Sequence, residues 1–210
     1  ALYEADMPVM QDGDLATIHQ PLDFFGANIY SGRYVHATPD GGIEKAMDRD
    51  QPVTAMGWPI TPEALYWAPR FFHERYGLPI VITENGMAHD DHLENGAVDD
   101  QPRIDFLQSY LQHYARAIAE GVPAQGYFLW SVMDNFEWAE GYSKRFGLIH
   151  VDYASQRRTL KASAQWYGRV IVANGGNLGS NDGQGESTKT RRQILPPSSS
   201  SKNHANKGHS

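Results

Sequence analysis

The chain has 210 residues, 40% hydrophobic and 20% charged, with a formal net charge of -7 and no cysteine. Zero cysteine excludes disulfides, thiolate-bound zinc, iron–sulfur clusters and a thiol nucleophile. No apolar run reaches the roughly 18–20 residues of a membrane-spanning helix, no signal-peptide pattern opens the chain, and the acidic balance argues against nucleic acid as the main partner, so a cytoplasmic protein is expected, although the chain opens on Ala1 rather than Met.

In chain order, Leu22 to Tyr30 (LDFFGANIY) is a short, mostly apolar run and predicts a buried strand. Thr61-Pro62-Glu63 predicts a helix start, with Thr61 as N-cap and Pro62 in the first turn. Leu65, Trp67, Phe71, Phe72 and Tyr76 supply its apolar face; Pro69 is expected to kink or shorten it, and Gly77 to end it. Leu78 to Thr83 (LPIVIT) is a continuous β-branched run, the pattern of a strand buried on both faces, and it stops at Glu84-Asn85-Gly86. The polar loop from Met87 to Gln101 reads as a solvated lid. Arg103 to Glu120 is the clearest helix, with Ile104, Leu107, Leu111, Tyr114, Ala115 and Ile118 at helical spacing. Ala124 to Val132 predicts a third buried strand, 147–152 a short extended run, and 163–173 a closing helix.

From 174 to 210 Gly, Ser and Asn dominate, and five basic residues face two acidic ones. Such a segment cannot bury enough apolar surface to offset the entropy of ordering it. The expected organisation is therefore a folded part, 1–173, and a low-complexity tail, 174–210, disordered or non-native. Within the folded part the order β-α-β-α-β-α implies α/β architecture, with parallel strands and right-handed crossovers. Parallel strands of this kind carry their chemistry at their C-terminal ends, and the polar clusters lie there: Asn28 with Tyr30, Glu84 with Asn85, and Trp130 through Trp138.

Glu84 follows an apolar strand directly, and Asn85-Gly86 permits the sharp turn that exposes it. A carboxylate so placed serves as nucleophile, general base or metal ligand, or is an ordinary loop residue. Trp130-Ser131-Val132-Met133-Asp134-Asn135-Phe136-Glu137-Trp138 sets two indoles around acids and amides. Aromatic rings cover the C–H faces of a sugar while carboxylates bridge neighbouring hydroxyls; the competing reading makes Trp130 and Phe136 core and Glu137 solvated. His89, Asp90, Asp91 and His92 suggest a metal, but their spacing matches no helical His-x-x-x-His site. No phosphate loop or serine elbow occurs, so neither metal nor cofactor is expected.

Ile82-Thr83-Glu84-Asn85-Gly86, together with Phe128 through Leu148 (FLWSVMDNFEWAEGYSKRFGL), closely resembles family 1 glycoside hydrolases, the retaining β-glucosidases. Asp23 to Tyr30 is similar to that family's sixth barrel strand, and Met56-Gly57-Trp58 to its segment before the sixth helix. The resemblance covers roughly residues 1 to 173. It implies strands six, seven and eight of a (β/α)8 TIM barrel, incomplete as given. It further implies that Glu84 is the nucleophile and that Tyr30 hydrogen-bonds it, with Asn28 beside it. Glu137 would hold two glucose hydroxyls with Trp138 beside it, Trp130 would lie under the ring, and Phe146 would line the same pocket. Trp58 would face the aglycone. Ile29 stands where the family more usually has the first Tyr of Asn-Tyr-Tyr.

A retaining glycosidase needs two carboxylates about 5–5.5 Å apart. The family's acid/base lies in an Asn-Glu-Pro motif, which this chain lacks. A typical barrel needs about 250 residues. The resemblance thus implies the C-terminal portion of a β-glucosidase acting on β-glucosides or short cello-oligosaccharides by double displacement, with its acid/base carried elsewhere. The alternative is an incomplete piece that only binds carbohydrate or assembles with another chain, as a homo-oligomer or with a missing N-terminal barrel half. Members acting on phosphorylated sugars generally carry Ser where Glu137 stands, which favours an unphosphorylated sugar.

Overall fold

The computed structural model describes residues 9–46 and 50–179. A short helix α1 (Asp14–Ile18) precedes strand β1 (Phe25–Asn28). Strands β2 (Val35–Ala37) and β3 (Ile43–Lys45) form an antiparallel hairpin. Helix α2 (Ala64–Tyr76) leads into β4 (Ile80–Asn85), and α3 (Gln101–Ala119) into β5 (Ala124–Leu129). One 3-10 turn, Trp138–Glu140, is followed by the antiparallel pair β6 (Ile149–Val151) and β7 (Arg158–Leu160), and α4 (Ala162–Val172) closes the order.

Strands β1, β4 and β5 form a parallel sheet in that order, as the β-α-β-α-β-α pattern predicts. The hairpin of β2 and β3 is exposed at every residue, so no buried face marked it in the sequence. Alternate strand residues face opposite sides of a sheet. Ala27, Ile29, Ile80 and Ile82 point into a core shared with Leu65 and Tyr66 of α2 and with Phe106, Leu107, Tyr110, Tyr114 and Ala117 of α3. Leu65, Ile80, Ile82 and Leu107 are completely buried. Burial on that scale contributes about 1.5–3 kcal/mol per large aliphatic side chain. The other face of the sheet is less covered among the described residues: Gly26, Asn28 and Phe128 are exposed, although Val81 of the central strand is buried.

Three local expectations change. Helix α2 starts at Ala64, and the Thr61 hydroxyl accepts the Gly32 amide at 2.6 Å instead of capping the helix. Pro69 lies buried mid-helix and α2 runs through it to Gly77, whose φ of 68° suits glycine. Beyond Ala173 the turns continue to Gly179, and buried Leu178 packs with Leu111 and Val170 while Gln108 and Gln112 donate to its carbonyl at 3.1 and 2.6 Å. The placed chain therefore passes the expected boundary at 173; residues 180–210, the rest of the expected tail, lie outside the described residues. No helix among the described residues is long and apolar enough to cross a membrane.

Candidate active site

The C-terminal ends of β1, β4 and β5 are joined by side chains as well as by the ladder. The β1–β4 register sets Asn28 opposite Glu84, and the Ile29 amide donates to the Glu84 carbonyl at 2.9 Å. Asn85, fully buried, connects all three strands. Its Nδ2 donates to the Ile29 carbonyl at 2.8 Å, its Oδ1 accepts the Tyr127 hydroxyl at 2.6 Å, and its backbone carbonyl accepts the Trp130 amide at 2.9 Å. At Gly86 a Cβ would fall 1.8 Å from the Trp130 carbonyl oxygen, so the turn after Glu84 fits only glycine.

Glu84, half-buried, accepts the Tyr30 hydroxyl on Oε2 at 2.6 Å. Burial, then this hydrogen bond, then the charges of Glu84 and Glu137 push the Tyr30 phenol far above its ordinary pKa. Tyr30 therefore keeps its proton at neutral pH and donates it to the Glu84 carboxylate. Around it stand Trp58 and Phe146: Tyr30–Trp58 at 5.2 Å and 63°, Tyr30–Phe146 at 6.2 Å and 74°, and Trp58–Phe146 at 6.0 Å. Phe146 is buried and Trp58 half-buried. Asn28 is exposed, and its Oδ1 accepts the Thr83 hydroxyl at 2.6 Å.

After β5 the chain folds back on itself. The Ser131 amide donates to the Phe146 carbonyl at 3.3 Å, and the Leu148 and Ile149 amides donate to the carbonyls of Ser131 and Val132 at 3.0 Å each. This return brings Phe146 to Tyr30. Half-buried Trp130 stands at the start of the loop. Glu137 Oε2 is buried and has no hydrogen-bond partner among the described residues. A buried carboxylate oxygen without a donor is costly, and a ligand hydroxyl would satisfy it. Tyr30, Glu84, Glu137, Trp58 and Phe146 are thus drawn together; Trp138, with a φ of 44°, is 80% exposed.

The loop from Met87 to Gln101 is not the solvated lid that its composition suggests. Met87, Ala88, Asp91, Val98 and Asp100 are buried. Asp91 Oδ2 accepts Lys161 Nζ at 2.5 Å and Arg103 Nη2 at 2.7 Å, and Asp91 Oδ1 meets His89 Nδ1 at 3.0 Å. Asp134 accepts Lys161 Nζ at 2.8 Å, Arg145 Nη1 at 2.5 Å and the Gly147 amide at 3.0 Å. Asp100 pairs with Arg103 and caps α4 through the Ser163 amide at 2.8 Å. Lys161 and Asp100 are fully buried, and Arg103 nearly so. Asp91 is therefore committed to two cations and is not available as a metal ligand beside His89; Asp90 and His92 pair with each other on the surface at 3.3 Å. Among the described residues no group of three or more His, Asp and Glu is arranged to hold a metal ion.

Residues 2–176 match the family model described as glycosyl hydrolase family 1. The chain belongs to this family. It is 48% identical over 172 residues to Beta-glucosidase A of Thermotoga maritima, covering 80% of this chain and 39% of that protein. It is 47% identical over 181 residues to the bifunctional beta-D-glucosidase/beta-D-fucosidase of Bifidobacterium breve, covering 77% and 39%. Among solved structures it superposes on the Thermotoga maritima beta-glucosidase in complex with glucoimidazole with a TM-score of 0.71, at 49% identity over 77% of this chain and 37% of that one. The chain thus spans about two fifths of the length of the curated relatives it matches.

Several residues around the candidate site carried no functional signal in the sequence. Asn85 was legible only as a turn former and Tyr127 only as part of an apolar strand, and Tyr110 was not singled out at all. The buried ion network of Asp91, Asp100, Arg103, Asp134, Arg145 and Lys161 draws on segments up to 70 residues apart, and no local pattern announces it.

Proposed function

We propose that this chain is the part of a retaining β-glucosidase that carries strands six to eight of a (β/α)8 barrel, here β1, β4 and β5. Glu84 acts as the nucleophile, forming a glycosyl-enzyme, and Tyr30 holds its Oε2 and keeps the attacking oxygen oriented. Glu137 accepts two sugar hydroxyls on the atom that lacks a donor, with Trp138 and Asn28 completing polar contacts. Trp130 lies under the ring, Phe146 walls the pocket and Trp58 meets the aglycone. The observation that carries the reading is the 2.6 Å bond from Tyr30 to Glu84, spanning the ends of adjacent parallel strands beneath an aromatic wall. The substrate is an unphosphorylated β-glucoside or short cello-oligosaccharide. Glu137 stands where phospho-sugar enzymes carry Ser, and the relative named 6-phospho-beta-galactosidase is only 35% identical.

The acid/base carboxylate lies outside these 210 residues. Asp134 cannot substitute for it, since that carboxylate is buried and bound to Lys161 and Arg145. With 2,4-dinitrophenyl β-glucoside, whose leaving group needs no protonation, the full chain is expected to release dinitrophenolate and then stall at slow deglycosylation. Methyl β-glucoside is expected to remain intact. Efficient turnover of methyl β-glucoside by this chain, lost in Glu84→Gln, would refute the missing-acid assignment.

The less covered sheet face favours a second reading, a carbohydrate-binding piece completed by another chain. Phe128 of β5 is 62% exposed, whereas parallel sheets are ordinarily covered on both faces. Size-exclusion chromatography separates the readings: a defined dimer or larger assembly supports completion in trans, and a stable monomer opposes it.

A further inference from the structure

Tyr30 lies two residues beyond Asn28, the last paired residue of β1, so the sheet ladder does not fix it. What holds its backbone is a phenol from the helix layer. Tyr110 of α3 is fully buried, its ring stacked on Phe106 at 4.0 Å between centroids. Its hydroxyl donates to the Tyr30 carbonyl at 3.1 Å and accepts the Thr61 amide at 2.8 Å. A second tie joins the same two segments, the Gly32 amide donating to the Thr61 hydroxyl at 2.6 Å. On the other side of Tyr30, the Ile29 carbonyl is held by Asn85. One oxygen atom in the core thus joins α3, the end of β1 and the segment that carries Trp58.

We propose that Tyr110 is a positioning residue: its hydroxyl sets where Tyr30 and Trp58 stand relative to Glu84, without itself reaching the site. The inference rests on the reading of Glu84 as nucleophile. Burial raises the Tyr110 phenol above its ordinary pKa, so the hydroxyl stays protonated and keeps both bonds. The Tyr30–Glu84 bond has a narrow tolerance, because a displacement of about 1 Å at a reacting group can cost on the order of a hundredfold in rate. Tyr114 supplies an internal comparison. It sits one turn further along α3, is buried as well, and donates an equivalent hydrogen bond to the Gly126 carbonyl at 3.0 Å, mid-strand in β5. Tyr110→Phe deletes two buried hydrogen bonds, to the Tyr30 carbonyl and from the Thr61 amide, and Tyr114→Phe deletes one, to the Gly126 carbonyl; only the Tyr110 bonds hold the residue that touches Glu84.

The test uses the full chain and 2,4-dinitrophenyl 2-deoxy-2-fluoro-β-glucoside, which forms a long-lived glycosyl-enzyme detected by mass. Three quantities are read: the saturating labelling rate constant, the half-saturating concentration and the fraction of chain labelled. Tyr110→Phe is expected to lower the rate constant roughly tenfold to a hundredfold, with the labelled fraction unchanged, while Tyr114→Phe keeps the unmodified rate constant. A change that only destabilises the fold lowers the labelled fraction and leaves the rate constant of the folded fraction alone. An unchanged rate constant in Tyr110→Phe, or an equal loss in Tyr114→Phe, overturns the inference. If Tyr110→Phe does not fold in plain buffer, both chains are labelled in trimethylamine N-oxide, which favours the folded state; a rate constant equal to that of the unmodified chain there overturns the inference, and a lowered one supports it. Labelling of Glu84→Gln at the unmodified rate, or no labelling of the unmodified chain, overturns the nucleophile reading and this inference with it.

Discussion

Glu84→Gln is expected to slow dinitrophenolate release from 2,4-dinitrophenyl β-glucoside by at least about four orders of magnitude, the scale seen when a covalent nucleophile is removed. The substitution is nearly isosteric. The amide oxygen can still accept the Tyr30 hydroxyl, so the aromatic wall of Tyr30, Trp58 and Phe146 has no reason to move. What disappears is the charged oxygen that attacks the anomeric carbon. Unfolding midpoints within about 1 °C of the unmodified chain, alongside the lost rate, would confirm that chemistry and not folding was removed. A residual rate within tenfold of the unmodified chain would mean that Glu84 is not the attacking group.

Lys161→Met is expected to cost about 3–5 kcal/mol of stability, because removing one partner of a buried ion network leaves the others uncompensated. Lys161 Nζ is the atom that Asp91 and Asp134 share, at 2.5 and 2.8 Å. Without it three buried aspartates keep Arg103 and the half-buried Arg145 as permanent cations, beside the His89 imidazole on Asp91. Urea unfolding at neutral pH measures the loss, and a change below about 1 kcal/mol would show the network to be dispensable. Acid sensitivity follows from the same residues. Burial raises the Asp91 carboxyl, but Arg103 and Lys161 outweigh it and hold the group below its ordinary value. A carboxyl depressed on folding contributes stability that is fully present above its unfolded value of about 3.9 and fades as pH falls through the folded value. The unmodified chain should therefore keep this contribution down to near pH 4 and lose it below, whereas in Lys161→Met, with one of the two depressing cations gone, Asp91 contributes less and the loss on acidification is smaller.

The sheet and its helices were legible because each leaves a periodic signature. The run LPIVIT and the spacing of Ile104, Leu107 and Leu111 marked β4 and α3 within a few residues of their observed limits. Thr61 misled because its cap-like context, Thr-Pro-Glu, is a local signal, while its hydroxyl is drawn to Gly32, 29 residues away. The 87–101 loop misled for a related reason. Composition reads Asp91 and Asp100 as solvated, and only the tertiary partners Arg103, Lys161 and Ser163 show why they can be buried. At the candidate site, motif resemblance pointed to Glu84, Tyr30 and Glu137 but not to Tyr110, which bonds a backbone carbonyl from another element, and it showed Asn85 as a turn former and not as the link between three strands.

Asp134 gives the long loop after β5 an engineering consequence. Its carboxylate accepts the Gly147 amide and the Arg145 guanidinium, and its own amide donates to Ile149. The loop's entrance and exit are therefore clasped at one residue, and the entropic cost of closing it depends little on what lies between, since that cost grows only slowly with loop length. Residues 135–144, which include Glu137, Trp138 and the edge-to-face pair Phe136 and Tyr142, lie between these two clasped ends. A segment of different length grafted between Asp134 and Arg145 is therefore expected to leave the Tyr30–Glu84 pair in place.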